Sequence, residues 1–132
     1  MTEFVAPSRE ETMGRIMRGA SRIAHFTRDM PYTVADRLEE RARDAGDKPF
    51  LIFEDRVISF AEANRIADRI GRAGLGAGLK KGDVVALLME NRPEFILTWI
   101  GFAKAGIVTA LLNTSARGQV FSHALSATQA KA

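Results

Sequence analysis

Two groups of polar residues carry side chains that are well placed to bind a ligand. Each group directly follows an apolar run, one at residues 83–89 and the other at residues 107–112. In an open parallel sheet, ligands bind beyond the carboxyl ends of the strands, so two neighbouring parallel strands would bring the groups to one edge. The alternative is that these residues cap helices and fill turns, as polar residues in loops commonly do. The members of this candidate loop site are Glu90, Asn91, Asn113 and Thr114.

Residues 82–113 have the pattern of a strand, a helix and a second strand. The first apolar run is nearly continuous, which is typical of a strand covered on both faces in a parallel sheet. Pro93 suits the first turn of a helix because its missing N–H is not needed there. Phe95, Trp99 and Phe102 follow at helical spacing, and Gly106 suits the helix end. The pattern predicts a parallel pair of strands joined by a right-handed crossover.

Residues 8–28 are predicted to form a basic amphipathic helix. Ser8 and Glu11 have the spacing of a capping box, and apolar residues such as Met13, Ile16 and Met17 recur on one face. One interpretation is a helix that lies on an anionic membrane surface. The other is a helix packed on its own domain, since such stripes are ordinary in surface helices. We expect residues 1–31 to form an N-terminal helical segment separate from residues 32–132.

The remaining elements complete an α/β pattern. Thr33 is a suitable N-cap for a helix that ends near residue 46, and two β-prone runs at residues 50–53 and 57–60 predict a hairpin. Ser59 begins a third helix, predicted to end near Ala73, and a last helix is predicted at residues 119–127. The glycine-rich stretch GRAGLGAG, which starts at Gly71, is interpreted as a helix terminus and flexible turn.

Composition excludes several functional classes. A hydrophobic fraction of 46% with 27% charged residues is that of an ordinary soluble domain, not a disordered chain. The absence of cysteine excludes disulfides and thiolate metal sites and fits a cytoplasmic protein. The net charge of +3 is spread over scattered arginines, so no nucleic acid partner is expected.

No known catalytic motif accompanies the titratable or glycine-rich residues. The glycine stretch matches neither G-x-G-x-x-G nor the P-loop pattern, and it lies at a helix end rather than between a strand and a helix. His25 and His123 fall on separate predicted helices and lack a metal-binding or nucleophile motif nearby. No catalytic, cofactor-binding or metal-binding residue is therefore predicted in the chain.

Four segments in order resemble the adenylate-forming, AMP-binding enzymes. Residues 58–63 (ISFAEA) are similar to the first core motif of that family, and residues 103–113 (AKAGIVTALLN) to the second. Residues 81–86 and 91–95 fit between them. Asn113 and Thr114, followed by Arg117 and by His123 in the next helix, are similar to the very-long-chain acyl-CoA synthetase and fatty acid transport protein branch.

The resemblance implies an enzyme that activates a fatty acid with ATP to an acyl adenylate and transfers the acyl group to coenzyme A. Fatty acid, ATP, magnesium and coenzyme A are then the substrates and cofactors of the complete enzyme. The family holds the phosphates with a Ser/Thr/Gly-rich loop that ends in lysine, and with motifs far downstream. These motifs are not among the 132 residues, so the resemblance implies an N-terminal fragment without ligase activity of its own, and no catalytic residue transfers to it.

The predicted fold class is α/β, a partial N-terminal subdomain of the acyl-CoA synthetase fold with parallel strands, crossover helices and a small β-hairpin. A partial sheet predicts self-association through open strand edges. The main alternative is a non-enzymatic module that binds a lipid surface, through peripheral membrane contact of residues 8–28, or a parent-like partner. A third possibility is a small flavodoxin-like domain that binds a nucleotide at the Glu90 and Asn113 loops.

Overall fold

The computed structural model describes residues 7–24, 27 and 30–132. The chain divides into two compact units, residues 1–31 and residues 32–132. The elements in chain order are α1 (Arg9–Ile23), α2 (Val34–Asp44), β1 (Pro49–Phe53), β2 (Arg56–Ser59), α3 (Phe60–Gly76), β3 (Val84–Leu87), α4 (Pro93–Lys104), β4 (Val108–Leu111) and α5 (Gly118–Thr128). The predicted α/β class with a hairpin and a parallel pair is confirmed.

Helix α1 of the first unit begins with a reciprocal capping box. The Glu11 N–H donates to the Ser8 hydroxyl at 3.1 Å, and the Ser8 N–H donates to the Glu11 carboxylate at 2.8 Å. These bonds satisfy two of the donors that a helix start leaves free. The helix ends at Ile23. Its predicted continuation to residue 28 includes His25, Phe26 and Arg28, which lie outside the described residues.

The strand, helix and strand predicted at residues 82–113 are present in the second unit. Strands β3 and β4 pair in parallel, with Val84 opposite Val108 and Leu87 opposite Leu111. The hydrogen-bonded ladder spans only four residues of each strand, so both strands are shorter than the apolar runs at residues 83–89 and 107–112. Gly106 adopts φ 71° after α4, a conformation that only glycine reaches without strain. Helix α4 thus forms the crossover between two parallel strands.

Helices α3 and α4 pack closely because small residues face each other. Gly71 and Gly74 are buried in α3, and Gly101 is buried in α4. A Cβ atom at Gly71 would lie 2.7 Å from the Gly101 carbonyl oxygen. The interpretation of the glycine stretch as a helix end and flexible turn was therefore wrong for Gly71 and Gly74: the helix continues to Gly76, and these glycines permit close contact with α4.

The main core of the second unit joins α2, the hairpin, α3 and α4. Leu38, Ile58, Ala67 and Leu97 are at most 3% exposed and lie in one cluster of buried residues. The hairpin pairs β1 with β2 in an antiparallel register, and Phe50 packs against Phe60 with ring centroids 5.0 Å apart. The hairpin is thereby fixed on the helices.

The C-terminal residues lie along the free edge of β3. The Lys131 N–H donates to the Val84 carbonyl, and the Ala86 N–H donates to the Ala132 carbonyl, both at 2.8 Å. The Lys131 ammonium also contacts the Asp83 carboxylate at 2.6 Å. One edge of the parallel pair is therefore partly covered, while Val108 and Leu111 of β4 remain about half exposed.

Candidate functional site

The four loop-site residues line one pocket at the carboxyl ends of β3 and β4. The cavity has a volume of about 360 Å³, and Phe95 forms part of its wall. The parallel register places both strand ends at the same edge, as the sequence predicted, so residues separated along the chain meet here. The lining residues are Met89, Glu90, Asn91, Phe95, Leu112, Asn113 and Thr114.

Local hydrogen bonds hold the loop that follows β4 in place. The Asn113 side-chain oxygen accepts from the Ser115 N–H at 2.8 Å, which is an Asx turn. The Arg117 guanidinium donates to the Thr114 carbonyl at 2.5 Å and to the Ala116 carbonyl at 2.8 Å. The Asn113 oxygen is thus already used as an acceptor, while the amide nitrogen, which carries the donors, can donate to a ligand. The pocket can therefore offer amide donors beside the acceptor oxygens of Glu90 and Thr114.

A second cavity, hereafter the apolar groove, adjoins the loop site. It has a volume of about 210 Å³ and lies between β1 and the start of α4. The two cavities share Asn91 and Phe95. The groove lining consists of Leu51, Ile52, Phe53, Asn91, Arg92, Pro93, Phe95 and Ile96. A polar pocket and an apolar groove thus lie side by side.

Two arginines and one glutamate surround the start of α4. The Arg56 guanidinium contacts Glu94 Oε1 at 2.8 Å and ties the hairpin to the helix. Arg92 Nε lies 3.9 Å from Glu94 Oε2. The hydrogen bond from Arg56 lowers the pKa of the Glu94 carboxyl below its ordinary value, so Glu94 is ionised at neutral pH. The start of α4 therefore carries an ion pair between Arg56 and Glu94, with a second arginine, Arg92, beside it.

Lys104 lies at the centre of a charge cluster at the end of α4. Its ammonium contacts Asn64 Oδ1 at 2.6 Å, Glu39 Oε1 at 2.7 Å and Asp68 Oδ1 at 2.6 Å, and its side chain is only 9% exposed. Burial by itself lowers the pKa of Lys104, but the Asp68 and Glu39 carboxylates outweigh that effect and hold the pKa above its ordinary value. Lys104 therefore stays charged and joins α2, α3 and α4.

Sequence reasoning did not identify the roles of Arg56, Arg92 and Lys104. It placed Lys104 within residues 103–113, the segment similar to the second core motif, and gave it no partner. The available signal was that Lys104 is the only cation in the mostly apolar helix α4, since a cation requires a partner when it is buried. Arg56 and Glu94 carry no such signal because both are exposed residues of separate elements.

The two histidines weighed in the sequence are not assigned to this region. His123 is exposed on α5, and His25 lies outside the described residues. Within the described part of the chain, no three His, Cys, Asp or Glu side chains are grouped as a metal ion would need. None of the helices in that part is both long and apolar enough to cross a bilayer.

Comparisons with known proteins agree on one family. The family described as AMP-binding enzyme matches residues 38–132. Human long-chain fatty acid transport protein 6 is 41% identical over 86 residues, which is 64% of this chain and 14% of that protein. The medium/long-chain-fatty-acid–CoA ligase FadD6 of Mycobacterium tuberculosis is 30% identical over 116 residues, which is 88% of this chain and 19% of the ligase.

A solved structure supports the same assignment. The NpsA N-terminal subdomain of Klebsiella oxytoca, in complex with anthranilyl-AMSN, superposes with a TM-score of 0.71 and 28% identity. The match covers 74% of this chain and 26% of that structure. The chain therefore spans less than a fifth of the length of each of the two relatives above, and about a quarter of the length of the solved subdomain. The match to the family over residues 38–132 and the shared fold show that the chain belongs to the AMP-binding enzyme family.

Proposed function

We propose that the chain is the N-terminal portion of an ATP-dependent fatty acid–CoA ligase. In that reaction the fatty acid carboxylate attacks the α-phosphate of ATP, pyrophosphate leaves, and the thiol of coenzyme A then displaces AMP from the acyl adenylate. The observation that carries the proposal is the 30% identity to a fatty-acid–CoA ligase over 88% of this chain. The fatty acid transport protein match supports the same substrate class.

The contribution of this 132-residue chain to such a ligase is structural. The crossover helix α4 joins two parallel strands, and Lys104 fixes it to α2 and α3. ATP, magnesium and coenzyme A belong to the proposed complete enzyme. Charge on the leaving phosphates must be neutralised there, and no residue of the present chain is assigned to that role. We accordingly expect the 132 residues alone to form no acyl-CoA.

A chimeric ligase tests this proposal. Residues 32–132 replace the corresponding segment of the M. tuberculosis ligase FadD6, and acyl-CoA formation is followed with ATP, magnesium, decanoate and coenzyme A. We expect an active chimera, whereas the isolated chain should be inactive. The matched control chimera carries Gly101→Leu, which blocks the α3–α4 contact. A well-folded chimera without activity contradicts the proposal, and activity of the isolated chain contradicts its structural role.

The geometry of the loop site favours a role in ligand contact. The polar groups of Glu90, Asn91, Asn113 and Thr114 converge on one cavity, which supports binding of a small hydrogen-bonding ligand such as a nucleotide. Saturable nucleotide binding that is lost in Asn113→Ala and kept in Ser122→Ala, an exposed residue of α5, is the expected result. Equal binding by both variants excludes this site.

A second candidate function is contact with a lipid surface through α1. Met13, Ile16, Met17 and Ile23 of this helix are 51–65% exposed, and the helix also carries Arg15 and Arg18. An exposed apolar face with basic residues opposite suits an anionic bilayer, which supports a cytoplasmic protein with peripheral membrane contact. Co-sedimentation with vesicles that contain phosphatidylserine should fall in Ile16→Ser/Met17→Ser and stay unchanged in Val120→Ser.

A further inference from the structure

Strand β4 has one edge whose backbone groups are free. The Val108 and Leu112 N–H groups each donate to a carbonyl oxygen on the β3 side at 2.9 Å. Successive residues of a paired strand direct their N–H and C=O groups to opposite edges, so Thr109 and Leu111 direct theirs away from β3. Among the described residues, β3 is the only strand that pairs with β4. Two N–H donors and two carbonyl acceptors are therefore available along this edge.

The free edge of β4 lacks the features that normally protect a sheet edge. Natural edge strands carry charged residues, proline or a bulge, which discourage pairing with another chain. Residues 105–114 contain no charged residue and no proline. The flanking cations have partners of their own: Lys104 contacts Glu39 and Asp68, and Arg117 donates to carbonyls of its own loop. A second strand can therefore approach this edge without charge repulsion.

The other edge of the parallel pair is occupied, which limits how copies of the chain can assemble. Residues 131 and 132 bond to Val84 and Ala86 along β3. A β4 strand that paired with β3 of the next copy would form a head-to-tail contact, and such contacts generate rings or open filaments. Two β4 edges related by a two-fold axis instead use the same surface on both copies and form a closed dimer. The available edge therefore suits a second copy of this chain, because the same free groups face it in reverse order.

We propose that the chain forms a symmetric dimer in which two β4 strands pair antiparallel, with the two-fold axis at Ala110. In this register Thr109 of one copy exchanges two backbone hydrogen bonds with Leu111 of the other, and the reverse pair does the same. All free donors and acceptors of the two edges are then used. A register centred on Thr109 would instead need the Ile107 N–H, which already donates to the Phe102 carbonyl at 2.9 Å.

The side chains of β4 fit this register. Val108 is 52% exposed and lies opposite Leu112 of the second copy, so two apolar side chains cover each other. Leu111, which is 49% exposed, lies opposite Thr109. The two Ala110 residues form a non-hydrogen-bonded pair, whose Cα atoms approach to about 4.5 Å, and alanine is small enough for that distance. The dimer needs no fatty acid, ATP or coenzyme A, so its test is independent of the ligase proposal.

Single cysteines test the register directly, because the chain has none of its own. The Ala110 pair lies within the Cα range of about 4.4–6.8 Å that a disulfide requires, so Ala110→Cys should oxidise to a covalent dimer. Val108→Cys is the matched control: its two copies would lie about 13 Å apart in this register and should give at least tenfold less covalent dimer. A mixture of Val108→Cys and Leu112→Cys chains should give a covalent heterodimer. Equal cross-linking of Ala110→Cys and Val108→Cys overturns the proposal.

Sedimentation velocity of the full chain tests whether the dimer forms without a cross-link. The average mass should rise with concentration from monomer to dimer and then level off. Leu111→Pro removes an N–H that faces away from β3, an orientation in which an edge strand tolerates proline, so this variant should unfold cooperatively in urea and stay monomeric. Val120→Ser, at an exposed residue of α5, is the control and should dimerise as the wild type does.

Three results would contradict the β4 dimer. They are a wild-type chain that stays monomeric, assemblies larger than the dimer, and a folded Leu111→Pro variant that still dimerises. If Leu111→Pro does not fold, the comparison of Ala110→Cys with Val108→Cys decides, because both variants keep every backbone hydrogen bond.

Discussion

Replacement of Lys104 by methionine should destabilise the second unit more than the loss of any exposed lysine. Methionine keeps most of the side-chain volume but removes the charge that contacts Glu39, Asn64 and Asp68. The Glu39 and Asp68 side chains remain 46% and 33% exposed, so water can partly solvate them after the change. The variant therefore tests a contact that is buried on one side only.

The size of the effect lies between two known limits. Removal of one partner from a fully buried ion pair costs roughly 3–5 kcal/mol, and exposed pairs contribute about 0.2–1 kcal/mol. With a buried ammonium and half-exposed carboxylates, we expect a loss of about 2 kcal/mol in the free energy of unfolding. For a chain of this size the melting temperature should fall by roughly 6–8 °C.

Urea denaturation followed by circular dichroism measures this loss. Lys48→Met, at an exposed residue before β1, is the control and should change stability by less than about 0.5 kcal/mol. The double variant Lys104→Met/Asp68→Asn should be less destabilised than the sum of its single variants, because the two residues contact each other. Equal stability of Lys104→Met and Lys48→Met would refute the assigned role of the cluster.

The pKa of Lys104 sets the pH range of this difference. A cation whose folded-state pKa is raised contributes stability that is complete below its unfolded pKa. The contribution disappears as pH rises through the folded pKa. The gap between wild type and Lys104→Met should therefore stay constant from neutral pH to about 10 and narrow above it. A gap that closes between pH 7 and 9 would contradict the raised pKa.

Three further predictions test packing, electrostatics and association. Gly101→Ala places a Cβ 2.8 Å from the Ala67 carbonyl oxygen and should cost about 1–3 kcal/mol in urea denaturation, whereas Gly76→Ala meets no atom within 4 Å and should not destabilise. Lys131→Met removes the main cause of the lowered pKa of Asp83, so an NMR titration should show a higher Asp83 pKa in the variant. In the wild type, the stability contributed by ionised Asp83 should be lost as pH falls through its lowered pKa, and in the variant this loss should begin at a higher pH. Val108→Lys/Leu111→Lys on β4 should reduce self-association in sedimentation velocity relative to Ile52→Lys on the hairpin, and equal behaviour would exclude the β4 edge.

Local signals were sufficient to predict the elements of this fold. The hydroxyls of Ser8, Thr33 and Ser59 each accept a backbone N–H at a helix start, and Pro93 begins α4. These signals act within one helical turn, so the sequence alone reveals them. The position where Glu90 and Asn113 meet was also predictable, because the parallel pairing of two apolar runs determines it; the role of these residues as a binding site stays a prediction.

Features that depend on a distant partner could not be predicted. Gly71 and Gly74 have the composition of a flexible turn, and only their contact with α4 shows why a helix continues through them. Lys104 pairs with Asn64, 40 residues away, and no spacing rule connects the two. The groove likewise requires the hairpin to lie against α4, a placement fixed by the Arg56–Glu94 contact and by the shared core.

The start of α4 lies at the point where the two cavities meet. It follows the carboxyl end of β3, so it forms one wall of the loop site, and it faces β1, so it also forms one wall of the apolar groove. Asn91 and Phe95 line both cavities. Substitution of either residue would therefore alter both cavities, whereas Asn113 contacts only the loop site and Arg92 only the groove. Variants of Asn113 and Arg92 can thus assign a bound ligand to one cavity, and variants of the shared wall cannot.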